Sequence, residues 1–303
     1  MKRYLRRVRT ALVGPPTQAD RPIGRKVLNS ICIRALALIE PAPGPMGCAP
    51  PYAVFGVYRA RNAANVATVL RNTPRAERVC LWALDRVADQ LETITLGSGP
   101  GTRFANLNRC VSANPRKRDE WIVLADDDVA FDRGSIELAI ATAFRAGLDL
   151  AQVSHSRQSF LNWSSELHRP FCKVRLSRFA EQGPLLILSP KAAARLLPFP
   201  EDVGMGWGIE AQWAADPDLR IGTVDTASIR HLNPVSWTGA YDVQAELAAS
   251  QERLEGAGYA TWAQLQTELA RWRVWRRDCP WRTDLGSMEA TESPAKPGSA
   301  PCW

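Results

Sequence analysis

Apolar runs alternate with helical patterns between residues 52 and 235, and this alternation restricts the fold more than any other feature of the sequence. Five runs have the length of buried strands, at 53–57, 79–84, 121–124, 149–153 and 184–188. Ala63, Val66 and Leu70 share one face of a helix after the first run, and a second helix fits 135–146. The pattern predicts an α/β domain with a mostly parallel, Rossmann-type sheet flanked by helices.

Proline marks where this domain begins. Residues 13–51 hold eight prolines, which favours irregular chain, so residues 1–51 are predicted to be a basic leader and linker before a domain at 52–235. Two helices, at about 240–256 and 259–277, predict a helical C-terminal extension over 236–283. Residues 284–303 are rich in Ser, Pro, Gly and Ala and are predicted to be a disordered tail.

The net charge of +7 belongs to the leader and not to the domain. Residues 1–34 carry nine Lys/Arg and one acid, whereas the remainder carries 29 basic and 30 acidic side chains. A nucleic-acid-binding face should mark the folded body, so no nucleic-acid partner is expected.

The compartment is predicted from cysteine usage and hydropathy. The seven cysteines include no CxxC pair, which argues against a disulfide framework and for a reducing compartment. The sequence has no run of 18 apolar residues, so a membrane-spanning helix is not expected. A cytoplasmic protein is expected, with peripheral membrane contact through the basic leader or the Trp/Arg-rich C-terminal helix left open.

Three consecutive carboxylates, Asp126, Asp127 and Asp128, follow the apolar run at 121–124. In open α/β sheets ligands bind beyond the carboxyl ends of strands, so these acids are predicted to face a site. Alternation along an extended backbone lets Asp126 and Asp128 point the same way. Paired hard oxygen ligands suit Mg²⁺ or Mn²⁺ bridged to phosphate oxygens.

Other interpretations of the acids are open at this point. They fit solvated turn residues or a short structural calcium site. An EF-hand loop starting at Asp126 fails, because its sixth position is Phe131 where glycine is required.

Four segments in order resemble those of glycosyltransferases with the GT-A fold, over roughly residues 52–235. The acids resemble the DXD motif, and the segment 101–109 resembles the polar helix start that precedes it. The segments 204–210 and 229–234 resemble the Gly/Trp-rich acceptor segment and the late segment that supplies a metal-binding histidine. The resemblance implies a GT-A-like fold and a family 2-like, hexosyl-type transferase that uses Mn²⁺ or Mg²⁺.

The resemblance also implies roles for individual residues. Asp126, Asp128 and His231 would hold the metal, and Glu210 would be the general base. Trp207 and Gly208 would bind the acceptor. The donor would contact six residues: Arg59, Asp85, Arg103, Asn106, Asp126 and Asp127.

The implied partners are a UDP- or GDP-linked sugar donor and a glycan, lipid or small-molecule acceptor. The sequence departs from the inverting pattern at Ala211, where an aspartate is typical after the glutamate, so the stereochemistry is open. Two alternatives remain: a nucleotidyltransferase, and a catalytically degenerate homologue that binds a sugar or nucleotide.

Overall fold

The computed structural model describes residues 46–71, 73–201, 206–233 and 242–281. Within them, ten strands form one sheet: β1 (Tyr52–Tyr58), β2 (Arg78–Ala83), β3 (Thr95–Ser98), β4 (Trp121–Ala125), β5 (Val129–Arg133), β6 (Leu150–His155), β7 (Cys172–Ser177), β8 (Leu185–Leu188), β9 (Ile221–His231) and β10 (Ala270–Arg273).

The same residues form seven α-helices: α1 (Ala63–Arg71), α2 (Arg103–Ala113), α3 (Ile136–Ala146), α4 (Pro190–Leu196), α5 (Ile209–Ala215), α6 (Val243–Gly256) and α7 (Trp262–Gln266). Short 3₁₀ turns occur at Ala60–Asn62, Asp89–Ile94 and Ser164–Glu166. The predicted leader up to residue 45, the tail at 284–303 and Gly204 of the acceptor segment lie outside the described residues.

The sheet order is β10-β7-β9-β6-β8-β4-β1-β2-β3, and β5 pairs with β9 off this path. The predicted α/β class is confirmed, but the sheet is mixed and not mostly parallel. Parallel pairs join β1 to β2 and β4, β2 to β3, and β6 to β9. The other five pairings are antiparallel: β8 runs opposite to both β4 and β6, and β7 with β10, β7 with β9, and β5 with β9 also pair in opposite directions.

Hydrophobic packing on both faces explains why the central strand is continuously apolar. Val123 of β4 packs into a core on one face, together with α3. Ile122 and Leu124 point to the opposite face and pack with residues of α2 and α4. A strand buried on both sides needs no polar alternation, which is why its polar residues appear only where it ends.

Local capping follows the sequence. Ser189 accepts a hydrogen bond from the Ala192 amide at 3.2 Å and precedes Pro190 at the first position of α4. Ser135 caps α3 in the same way, and Gly147 ends that helix in the left-handed region at φ 62°.

The C-terminal prediction is correct for its first helix and wrong for its second. The helix expected over 259–277 is only α7, and Ala270–Arg273 forms β10, antiparallel to β7. Trp272 is 1% exposed within the core, whereas Leu269 is 56% exposed, so these residues do not share a helical stripe. Strand pairing with the β7 edge outweighs the helical spacing because it satisfies the backbone of both segments.

Cys48 departs from the cysteine prediction, because it is disulfide-bonded. Four other cysteines, Cys80, Cys110, Cys172 and Cys279, are buried. Across the described part of the chain, each helix is too short or too polar to traverse a lipid bilayer.

Candidate active site

The three acids lie at the carboxyl edge of β4, between that strand and β5. The Asp126 amide donates to the carbonyl of Pro184 at 2.9 Å, which ties the acids to the start of β8. The Asp128 carbonyl accepts from the Leu232 amide at 2.8 Å, which ties them to the end of β9. The start of β8 and the end of β9 therefore both lie beside the acids, although they are distant in sequence.

Cross-strand pairing brings His231 to Asp128. Val129 pairs with His231 in the β5–β9 ladder, and Nε2 of the histidine lies 3.1 Å from Oδ2 of Asp128. The side-chain amide of Asn233 donates to the same oxygen at 3.1 Å. Burial alone would raise the pKa of Asp128, but the hydrogen bond and charge of His231 lower it below its usual value. Burial opposes a charged His231, yet Asp128 raises the pKa of the histidine.

Arg103 holds the second acid of the pair. Thr102 caps α2 and places Arg103 at its first position, where Nε donates to Oδ1 of Asp126 at 2.6 Å. Burial raises the pKa of Asp126, and the Arg103 charge opposes that rise. One Nη of Arg103 donates to Gln182 at 3.2 Å, and the other is buried without a hydrogen-bond partner among the described residues.

Asp127 lies in the turn between β4 and β5 and has different partners from the acids on either side. Its Oδ2 accepts from the Arg59 amide at 2.6 Å, and its carbonyl accepts from Asn65 at 2.9 Å. Only 8% of the residue is exposed, and burial raises the pKa of its carboxyl. These hydrogen bonds hold the end of β1 against the end of β4.

Arg59 and Asp85 lie at the ends of β1 and β2, at the same edge of the sheet. Asp85 is exposed and accepts from the amides of Ala60 and Arg86, at 2.9 and 2.7 Å. The Ala60 amide lowers the pKa of Asp85, which keeps it ionised. Both residues therefore lie at the carboxyl edge of the sheet.

Asn106 is fully buried and does not line an open surface. Its Oδ1 accepts from Arg109 at 2.7 Å, and a Cβ on Gly101 would come within 3.0 Å of that oxygen. Nδ2 of Asn106 has no hydrogen-bond partner within the described ranges. Asn106 therefore supports the loop that leads into α2, a different position from the predicted donor contact.

Glu210 is buried at the start of α5, with 5% of the residue exposed. Its two oxygens accept from the amides of Gly208 at 3.0 Å and Gln182 at 3.4 Å. The pKa of Glu210 is raised to about 7. Burial is the main cause and the charge of Glu181 adds to it, while hydrogen bonds from backbone amides oppose the rise. A carboxyl with this pKa exchanges its proton near neutral pH, which suits a general base.

Trp207 and Gly208 border Glu210 in different ways. Trp207 is half-buried and lines a cavity of about 20 Å³ together with Glu210 and Glu181. Gly208 has φ 96°, and a Cβ there would come within 2.8 Å of the Ser250 backbone. The glycine is thus required for α6 to pack closely, and it lines the same cavity as Trp207.

The donor set suits a hard divalent cation. Asp126 and Asp128 offer oxygens and His231 offers an imidazole nitrogen, a combination that Mn²⁺ accepts. A Cβ on Gly183 would lie 2.9 Å from Oδ2 of Asp126, so the glycine leaves that oxygen accessible.

Sequence reasoning missed Gln182, Gly183, Asn233 and Glu181. The first two precede β8 and reach the acids only because that strand runs antiparallel to β4. Asn233 lies two positions after His231, in the segment 229–234, and this proximity was the signal that could have identified it. A larger cavity of about 860 Å³ touches Trp121 and Ile221, the first residues of β4 and β9, and thus lies at the edge opposite the acids.

No family model matches the chain, and no curated protein matches it. Several solved structures resemble it. GalNAc-T7 with UDP, GalNAc and Mn²⁺ has a TM-score of 0.48 and 8% identity, covering 81% of this chain and 60% of that one. The chain thus spans about three fifths of that structure.

Two further structures resemble the chain. Residues 1–349 of S. aureus TarS with UDP-GlcNAc have a TM-score of 0.49 and 10% identity, over 70% of this chain and 67% of that one. The mannosyltransferase PcManGT from Pyrobaculum calidifontis, with GDP-Man and Mn²⁺, has a TM-score of 0.44 and 13% identity, over 78% and 81%. At such identities and scores, a function has to be argued from the site itself.

Proposed function

We propose that this chain is a GT-A-fold glycosyltransferase that moves a sugar from a nucleoside-diphosphate sugar to an acceptor with the help of Mn²⁺ or Mg²⁺. One observation carries the proposal: Asp126, Asp128, His231 and Arg103 converge at the carboxyl edge of a mixed α/β sheet. Carboxylates beside a guanidinium with a buried, unpaired Nη suit a diphosphate held by a cation.

The residues divide the work of transfer between them. Asp126, Asp128 and His231 would hold a cation, which would neutralise charge on the diphosphate leaving group. Arg103 orients Asp126 and offers its second Nη to a phosphate oxygen. Asn233 orients the Asp128 carboxylate through its amide. Asp85 and Arg59 border the place where the nucleoside would lie, and a ribose hydroxyl suits the exposed carboxylate of Asp85.

Glu210 acts on the acceptor side in this proposal. It lies beside Trp207, whose half-buried indole suits the apolar face of a sugar ring. With a pKa of about 7, its carboxylate form is available near neutral pH to take the proton of an acceptor hydroxyl. The acceptor class stays a glycan, a lipid or a small molecule, and the donor base stays uracil or guanine.

Thermal unfolding with nucleotide sugars tests this function directly. UDP- and GDP-sugars are added to the metal-stripped protein with and without Mn²⁺. A donor at 100 times its Kd should stabilise the fold by about 2.7 kcal/mol, and only when Mn²⁺ is present. Stabilisation by a nucleoside triphosphate with Mn²⁺, and by no nucleotide sugar, would instead indicate nucleotidyl transfer.

A further inference from the structure

A second group of metal-ligating side chains lies behind the proposed transferase centre. His155 ends β6, Glu166 ends the turn Ser164–Glu166, and Glu181 precedes β8. One ligand atom from each lies within 4.8 Å of the other two. The three residues are 2%, 0% and 9% exposed, respectively, so the group is enclosed by protein.

The group contains two buried carboxyls with no cationic side chain bonded to either. Glu166 accepts from the Trp163 amide at 3.3 Å, and Glu181 accepts from Asn162 at 2.6 Å. Within the described residues, neither carboxyl receives a hydrogen bond from lysine or arginine, and Oε1 of Glu166 has no hydrogen-bond partner. Buried charge requires compensation, so either a proton or a metal ion must supply it.

Hydrogen bonding fixes which nitrogen of His155 is free to bind. The Ser159 hydroxyl donates to the Phe160 carbonyl at 3.1 Å, so its oxygen is left to accept. That oxygen lies 2.8 Å from Nδ1 of His155, which therefore carries the hydrogen. Nε2 keeps its lone pair and lies 3.9 Å from Oε2 of Glu181. Metal-binding histidines are usually oriented by such a bond from the other ring nitrogen.

The distances fit ligands of a common ion better than they fit a hydrogen bond. Two ligands each about 2.0–2.2 Å from a metal lie roughly 3–4.3 Å apart. The histidine–glutamate separation of 3.9 Å falls in this range and is too long for a direct hydrogen bond. All separations within the group are at most 4.8 Å, so a contraction of about half an ångström or less would bring every pair within this range.

We propose that His155, Glu166 and Glu181 form a second, buried site for a first-row divalent ion, Zn²⁺ being the ion that best suits one imidazole and two carboxylates. The ion joins β6, the turn at Ser164–Glu166 and the segment before β8, and thereby fixes Gln182 under Arg103. Ser159 links the two centres, since it also accepts from the backbone amide of His231 at 2.8 Å.

A shared proton is the competing arrangement. The two glutamates approach closely enough for a protonated Glu166 to donate to Glu181, and burial, reinforced by the charge of Glu181, raises the pKa of Glu166 well above its usual value. An ion and this proton exclude each other, because both occupy the space between the carboxyls.

The experiment measures the equivalents of metal bound by the full chain. The substitution Asp128→Asn is present throughout, so that the transferase centre lacks one of its proposed ligands. Protein produced with Zn²⁺ in the medium is dialysed, and its zinc is measured by mass spectrometry. We expect close to one equivalent in this background and below about a tenth after adding Glu166→Gln. Glu120→Gln is the matched control, because Glu120 is equally buried but paired with Arg78.

Cobalt provides a second measurement that does not depend on affinity alone. Co²⁺ in the Asp128→Asn background should give visible absorption bands that disappear in His155→Gln. The proposal is overturned if the Asp128→Asn protein holds less than a tenth of an equivalent of zinc. It is also overturned if adding Glu166→Gln leaves the zinc content unchanged. If the Asp128→Asn protein holds no metal and Glu166→Gln makes it more stable, the two glutamates share a proton instead.

Discussion

Oδ2 of Asp128 lies 3.1 Å from Nε2 of His231, although 103 positions separate the two residues in the chain. The contact exists because β5 and β9 pair antiparallel with Val129 opposite His231. Each partner shifts the other's pKa toward the charged form, so a cation that binds here would have to displace a proton from His231.

Replacing Asp128 with asparagine should remove Mn²⁺-dependent donor binding while the protein stays folded. The variant loses a charged oxygen ligand but keeps the shape of the side chain. Isothermal titration with UDP- and GDP-sugars, with and without Mn²⁺, measures the effect. Asp119→Asn, an exposed acid at the far edge, is the control and should behave like the parent. Retained Mn²⁺-dependent affinity in Asp128→Asn would remove Asp128 from the metal site.

His231→Gln should weaken Mn²⁺ binding about 10-fold or more, since an imidazole ligand is lost and the amide replaces it poorly. Mn²⁺ binding is followed by electron paramagnetic resonance of the free ion, which needs no knowledge of the sugar. A variant with the parent's Mn²⁺ affinity and a lower melting temperature would show that His231 is structural.

Arg103→Lys should lower donor affinity by about 10- to 100-fold, because lysine cannot hold Asp126 and a phosphate oxygen together. Hydrogen bonds to charged groups contribute roughly 1.5–3 kcal/mol each, which corresponds to this range. Arg116→Lys, at an exposed position, is the matched control. Affinity within a factor of two of the parent would place the diphosphate away from Arg103.

Glu210→Gln should change both the rate and the pH dependence of stability. The pKa of Glu210 rises from 4.5 to about 7 on folding, so the folded state keeps a proton that the unfolded state has lost between those pH values. Ionisable Glu210 therefore destabilises the parent progressively as pH rises through this window, by roughly 3 kcal/mol above it. The glutamine variant should gain stability relative to the parent over the same window.

The same substitution tests the general base. Rate with a true acceptor should fall about 10²–10⁴-fold, while KM for the donor changes little. In the parent the rate should increase as pH rises through about 7, because the ionised carboxyl is the active form. Glu252→Gln, on an exposed face of α6, controls for loss of surface charge. A loss confined to acceptor KM would make Glu210 a positioning residue.

Trp272→Ala should destabilise the protein by about 3–5 kcal/mol, as expected for a fully buried indole. Trp275→Ala is the matched control, because Trp275 is 68% exposed three residues later. A chain ending at residue 283 should fold, and one ending at residue 267 should not, since it lacks β10. Urea unfolding of the four proteins measures this. Equal stability of the two tryptophan variants would contradict the strand assignment.

The sequence by itself determined the elements whose signals are local. The apolar run 121–124 and the acids that follow it depend on neighbouring residues, so the strand and the position of the acids at its end were predicted correctly. The pairing of Asp126 with Asp128 was expected from the alternation of side chains along an extended chain, whereas the acids lie in the turn between β4 and β5.

Only the tertiary structure decided how distant segments meet. The antiparallel entry of β8 brings Gln182 and Gly183 to Asp126, and no periodicity in the sequence sets the direction of a strand. Helical spacing at 259–277 was overridden at β10, because the free edge of β7 offered backbone hydrogen bonds that a solvated helix could not improve. Burial, which raises the pKa of Glu210, is likewise a property of the packed chain, since desolvation depends on every neighbour at once.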